Sequence, residues 1–207
     1  TAVEIGRIEG VDRLARREID DDFPALRSNF VTSLWSSLEA AVRLFVARWL
    51  EKAPGALEVD AIYKLKITLG DYNSLEGEDR FFYSLERLEQ SVSPKLKRGI
   101  GRFEEILRPF GLSGPVDDTT RRDLLELSQM RHVLMHRGGR ADRRLLDVCP
   151  WLPFSAGDPV VITEQTTERY SRSFMRYTFT LIARVGEHFG DDMTSVHENI
   201  ESCSSNS

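Results

Sequence analysis

FPALRSNFVTSLWSSLEAAVRLFVARW, residues 23–49, decides the fold class. Its apolar residues Leu26, Phe30, Leu34, Leu38, Val42, Phe45 and Trp49 recur every three or four positions, the spacing that lines one face of an α-helix. Asp20, Asp21 and Asp22 precede the run as candidate caps. Glu39, Arg43 and Arg48 interrupt it, so the stretch reads as an amphipathic core helix rather than a membrane span.

The same period governs most of the chain outward from this helix. Pro54-Gly55 breaks the run, a short helix follows around Ile62, Leu65 and Leu69, and a polar connector passes through Asn73 and Gly77. Phe81, Phe82, Leu85 and Leu88 begin another helix. Ser93, with Pro94 at the first helical position, reads as a further start that continues through Leu96, Ile100, Phe103, Leu107 and Phe110, weakened by Gly99 and Gly101. After the Gly111–Pro115 loop, Asp117, Asp118 and Thr119 can cap a helix that runs through Leu124, Leu127, Val133 and Leu134 to Gly138-Gly139. The segment Cys149-Pro-Trp-Leu-Pro153 is turn-rich, and Pro159–Thr163 is the single run that reads as strand. Tyr170, Phe174, Tyr177, Leu181, Val185 and Phe189 make the stripe of a last long helix. The expected architecture is an all-α bundle over residues 20–190 with one short peripheral β element near 159–163. Residues 1–19 read as an N-terminal extension and 191–207 as a polar, flexible tail.

At 207 residues and 41% hydrophobic, the chain can bury one core of ordinary size. A net charge of −5 does not describe a bulk polyanion binder, so any basic surface must be local. The two cysteines, Cys149 and Cys203, supply neither a disulfide framework nor a four-cysteine zinc site. With no signal-peptide pattern at its start, the sequence is expected to be cytoplasmic.

The chemistry concentrates in Arg131-His-Val-Leu-Met-His136-Arg-Gly-Gly139. Two of the four histidines lie there beside an arginine, just before the helix stop. Between residues 121 and 144 seven arginines face three acids, a local excess of four positive charges in an acidic protein. Three readings compete. Basic residues at a helix C-terminus satisfy the macrodipole with no further role. His132 and His136, one turn apart, are half of a metal site, but no glutamate follows His132, and Cys149 or Asp142 would have to serve as a distant third ligand. An arginine fork and a histidine that titrates near neutrality suit phosphate chemistry, and RNA brings its own nucleophile in the 2′-hydroxyl.

Arg131, a polar residue at 132 and His136 at the end of a helix in an all-α bundle resemble the catalytic motif of the HEPN superfamily of ribonucleases. Gly138-Gly139, Asp142, Cys149-Pro-Trp-Leu152, Gly157-Asp158 and Tyr170 look like the longer pattern of a bacterial branch similar to the RiboL-PSP-HEPN group. The resemblance spans roughly residues 23–189. It implies a homodimer whose paired subunits form one composite cleft and cut RNA without metal or cofactor, leaving a cyclic phosphate. Carried over, Arg131 would hold the phosphate and His136 would act on the 2′-hydroxyl or the leaving oxygen, with His132, Arg137, Arg140 and Arg143 as supporting or substrate-binding residues. It further implies a toxin or an effector of antiviral defence, with an antitoxin or defence-system partner protein. Relatives neutralised by modification carry a tyrosine two residues after the histidine; this chain has Gly138 there. The alternative is a non-catalytic HEPN module for dimerisation or for binding RNA, nucleotide or a partner.

Overall fold

The computed structural model describes residues 11–13, 15–16, 18–91 and 98–205. Its α-helices are α1 (Pro24–Lys52), α2 (Asp60–Tyr63), α3 (Leu69–Ser74), α4 (Asp79–Ser91), α5 (Gly101–Leu107), α6 (Asp118–His136), α7 (Arg143–Val148), α8 (Glu164–Phe189) and α9 (Thr194–Ser205), with a 3-10 turn at Arg108–Phe110. The architecture is all-α. The expected strand at 159–163 reduces to one isolated antiparallel bridge between Arg140 and Pro159, and no strand occurs among the described residues. The helix start read at Ser93-Pro94 lies outside the described residues.

Helix α1 forms where its periodicity predicts, but two details differ. None of the three aspartates caps it. The capping position is Phe23, in a left-handed conformation, and the Ala25 N–H donates instead to Glu18 Oε2 at 3.0 Å, while Asp22 pairs with Arg27. The buried face is Val31, Trp35, Leu38, Val42, Val46 and Trp49, leaving Leu26 and Phe30 exposed. The cause is geometric: successive four-residue steps advance about 400° and drift around the helix by about 40° each, so the 26-30-34 stripe walks off the core face. By length and composition α1 passes the test for crossing a membrane, with a mean hydropathy of 1.3 over its most apolar window. Its apolar face is used inside this fold.

Helices α1, α6 and α8 pack against one another around the core. Arg27 reaches Glu164 at 4.0 Å and Trp49 packs on His188 and Phe189, so α1 and α8 run parallel. Asp117 pairs with Arg176 and Asp123 with Arg169, so α6 runs antiparallel to both. The C-terminal end of α6 therefore lies at the end of the molecule where α1 and α8 begin. Trp35 stacks on Phe103, which stacks on Tyr177, tying α1 to α5 and α8.

Two polar clusters join the helices inside this core. Glu104 accepts from the Tyr177 hydroxyl at 2.9 Å, from Arg184 and from the Gly114 N–H, fixing the loop before α6 to α8. Asp123 and Glu126 on α6 face Arg169, Tyr170 and Ser173 on α8. Beyond α8, the expected flexible tail is helical: α9 folds back onto α8, and Met193 packs against Gly186.

Candidate functional site

Helix α6 carries the motif, and both of its ends are set locally. Asp117 caps the start by accepting the Thr120 N–H at 2.9 Å. At the far end the Arg137 and Gly139 N–H groups both donate to the Val133 carbonyl, and Gly138 and Gly139 take the left-handed conformations that close the helix. The chain then folds into a ladder of backbone bonds: Ala141 N–H to Asp158 O, Gly157 N–H to Ala141 O, and Val160 N–H to Gly139 O, at 2.8–2.9 Å. Asp142 caps α7 by accepting the Leu145 N–H and also takes Arg137 at 3.1 Å.

This scaffold brings His132 and His136 together, with ring centroids 5.1 Å apart. His136 is exposed and His132 half-buried, with a buried Nε2 that has no hydrogen-bond partner. Burial first, then the positive charge of Arg144, holds the His132 imidazole below its ordinary value; His136 and Arg137 push the same way and Asp142 opposes them. His132 is therefore neutral at pH 7. Arg131 is half-buried, makes no ion pair among the described residues, and its Nε likewise lacks a hydrogen-bond partner. Five residues of helix set Arg131 and His136 about 140° apart, so it is His132 that stands beside His136.

The supporting arginines divide into two groups. Arg137 is engaged by Asp142, and Arg140 donates to the Gly157 carbonyl at 2.9 Å, so both hold the loop as well as contributing charge. Arg143 is exposed on α7 without an ion pair among the described residues. Arg144, which sequence reasoning passed over as a site residue, is the α7 arginine whose charge bears on His132. The available signal was Asp142 followed by Arg143–Val148, a cap and one and a half turns of helix, too short for periodicity to expose.

Behind the motif lies a buried cluster that was not visible as such in the sequence. Glu126, 1% exposed, accepts from Arg169, from the Tyr170 hydroxyl at 2.7 Å and from Trp151 Nε1 at 2.7 Å. Asp123, 3% exposed, accepts from Arg169 at 2.5 Å and from the Ser173 hydroxyl at 2.7 Å. The two acids lie about one and a half and two and a quarter turns before Arg131 and fasten α6 to α8 and to the turn at 149–153. Burial, and then Glu126, pushes the Tyr170 hydroxyl well above the usual phenolic range. Cys149 is fully buried, and burial with Glu126 pushes its thiol up to about 12, so it is a packed apolar group rather than a nucleophile.

No group of three or more histidine, cysteine, aspartate or glutamate residues among those described is arranged to hold a metal ion, so the histidine pair gains no second half. Chemically, the end of α6 offers an uncommitted guanidinium, a neutral imidazole and an exposed imidazole, ringed by positive charge. That set suits a phosphodiester. No protein-family model, curated protein or solved structure matches the chain.

Proposed function

We propose that this chain is a metal-independent endoribonuclease of the HEPN type, acting as a homodimer and serving as a toxin or defence effector. The observation that carries the reading is Arg131, half-buried on the helix end that holds the His132–His136 pair, with no acid paired to it among the described residues. A guanidinium left unneutralised at the end of a helix, in a region with four excess positive charges, is set to receive an anion. The same geometry supports a dimer: one copy presents Arg131 and His136 on different sides of α6, and a second copy could bring the Arg131 of one chain and the His136 of the other to one phosphate.

In the reaction the 2′-oxygen attacks the adjacent phosphorus and the bond to the 5′-oxygen breaks. The 2′-hydroxyl loses its proton and the departing 5′-oxygen gains one, leaving a 2′,3′-cyclic phosphate and a 5′-hydroxyl. Arg131 stabilises the charge that grows on the phosphoryl oxygens, and His136 carries one of the two protons. His132 faces His136 and sets its orientation, and Arg144 adds charge at the mouth of the site.

The test is cleavage of labelled single-stranded RNA in excess EDTA by wild type, Arg131→Ala and His136→Ala, with folding and oligomeric state checked in each. Wild-type cleavage that falls by at least about a hundredfold in each folded variant is expected. A sound dimer that cuts none of a panel of RNAs would contradict the enzyme reading and leave the non-catalytic binding module in its place.

A further inference from the structure

Trp151 is the one tryptophan with a substantial open surface: it is 38% exposed, against 6% for Trp35 and 7% for Trp49. Its edge is nonetheless anchored in the core. The indole Nε1 donates to Glu126 at 2.7 Å, and Glu126 is itself held by Arg169 and Tyr170. The Arg122 guanidinium lies 4.6 Å over the indole ring and makes no ion pair among the described residues. An exposed aromatic ring whose orientation is fixed from behind, with an arginine plane already stacked on it, is a preorganised platform for another flat π-system.

Its position relative to the motif is set by α6. Arg122 and His136 are fourteen residues apart on one helix, which places them within about 40° of the same face and about 21 Å apart along the axis. That span matches roughly six stacked nucleotides at about 3.4 Å each. Between the two ends lies α7, carrying the exposed Arg143 and Arg144, the latter close enough to His132 to act on it.

We propose that Trp151 and Arg122 form a base-stacking subsite for single-stranded RNA, joined to the His132–His136 end of α6 by the arginines of α7. This rests on the ribonuclease reading for its substrate class and adds the subsite that holds a nucleotide away from the cut bond. Stacking on an aromatic face accepts any base, so the subsite fixes the strand and its direction rather than a sequence.

The test uses the full chain and a short, single-stranded 2′-O-methyl oligoribonucleotide, whose blocked 2′-oxygens prevent cleavage. Saturable quenching of tryptophan fluorescence is expected, since Trp151 is the accessible reporter. Trp151→Phe should bind within about threefold of wild type but without the quench, and Trp151→Ala should bind about tenfold more weakly. Arg122→Glu should also weaken binding about tenfold; Arg122 meets the cluster only by stacking on the Trp151 ring and has no hydrogen bond or ion pair to Glu126, Arg169 or Tyr170 among the described residues, so it keeps the test valid if Trp151→Ala misfolds. Absence of binding, binding without quench, or wild-type affinity in Arg122→Glu would overturn the subsite. The two readings fail separately. Quenching by a chain that never cuts RNA sinks the ribonuclease alone, whereas RNA cleavage with none of these binding effects sinks the subsite alone.

Discussion

His132 is the residue on which acid bears most directly. Its folded-state pKa lies below the ordinary 6.5, because burial and Arg144 penalise the imidazolium. The unfolded chain therefore binds the proton more readily, and stability is lost as pH falls from about 6.5 through the folded value. His132→Gln should flatten that loss, a difference read by comparing urea midpoints of the two proteins from pH 7.5 down to pH 5; parallel losses would show that His132 contributes nothing. Gly99 gives a second prediction at this scale. It sits at φ +58, and an added Cβ would stand 2.8 Å from the Leu125 Cα on α6, so Gly99→Ala should cost about 1–3 kcal/mol by urea denaturation. In the sequence Gly99 read as a weak point of a helix; its use as a close approach to the motif helix depends on a contact 26 residues away and leaves no local trace. His132 and His136 stood out in the sequence because two of the chain's four histidines gather, beside Arg131, at a marked helix end. Arg144 did not, because its approach to His132 requires α7 to turn back.

At the scale of elements, the union of α6 with α8 rests on Glu126. Glu126→Ala leaves Arg169, Tyr170 and Trp151 without their shared acceptor. The expected loss is about 3 kcal/mol, the lower end for breaking a buried pair because Arg169 keeps 36% of its side chain exposed, and denaturant unfolding measures it. Tyr170→Phe, which removes one donor and keeps the ring, should lose about 1 kcal/mol. Acids and their partners 43 to 50 positions apart carry no periodic signal, which is why Asp123 and Glu126 entered the sequence reading only as two of the three acids in a local charge balance. Helix α9 was hidden for a related reason. Its polar composition read as tail, while its anchor is Met193 against Gly186, where an added Cβ would meet the sulfur at 2.2 Å. Gly186→Leu should lift α9 and raise amide exchange through residues 194–205, with little change at α6. The opposite error occurred at 159–163, where β-branched residues suggested a strand; with only Arg140 to pair against, one bridge forms.

At the scale of the whole molecule, the helix directions bring the start of α1 and the end of α6 to one end of the bundle. Phe23, Leu26 and Phe30 at the start of α1 are 43%, 64% and 40% exposed, and Met135 at the end of α6 is 54% exposed. The proposed dimer would use this apolar surface, and pairing there would bring Arg131 and His136 of two chains toward one phosphate. If the proposed dimer forms there, Leu26→Glu with Met135→Glu should sediment as a monomer where the wild type sediments as a dimer, and should lose cleavage at the same time; a dimer that persists would place the interface elsewhere. The all-α class was legible from helical spacing alone, whereas the relative directions of α1, α6 and α8 came only with long-range pairs such as Arg27–Glu164 and Asp117–Arg176. The most direct measurement of the central claim is the product of wild-type cleavage in excess EDTA, on an RNA and on its 2′-O-methyl counterpart, alongside His136→Ala. Expected are 2′,3′-cyclic phosphate ends from the RNA, no cleavage of the methylated strand and none by the variant. Cleavage that EDTA stops, that the methylated strand also undergoes, or that His136→Ala retains would contradict it.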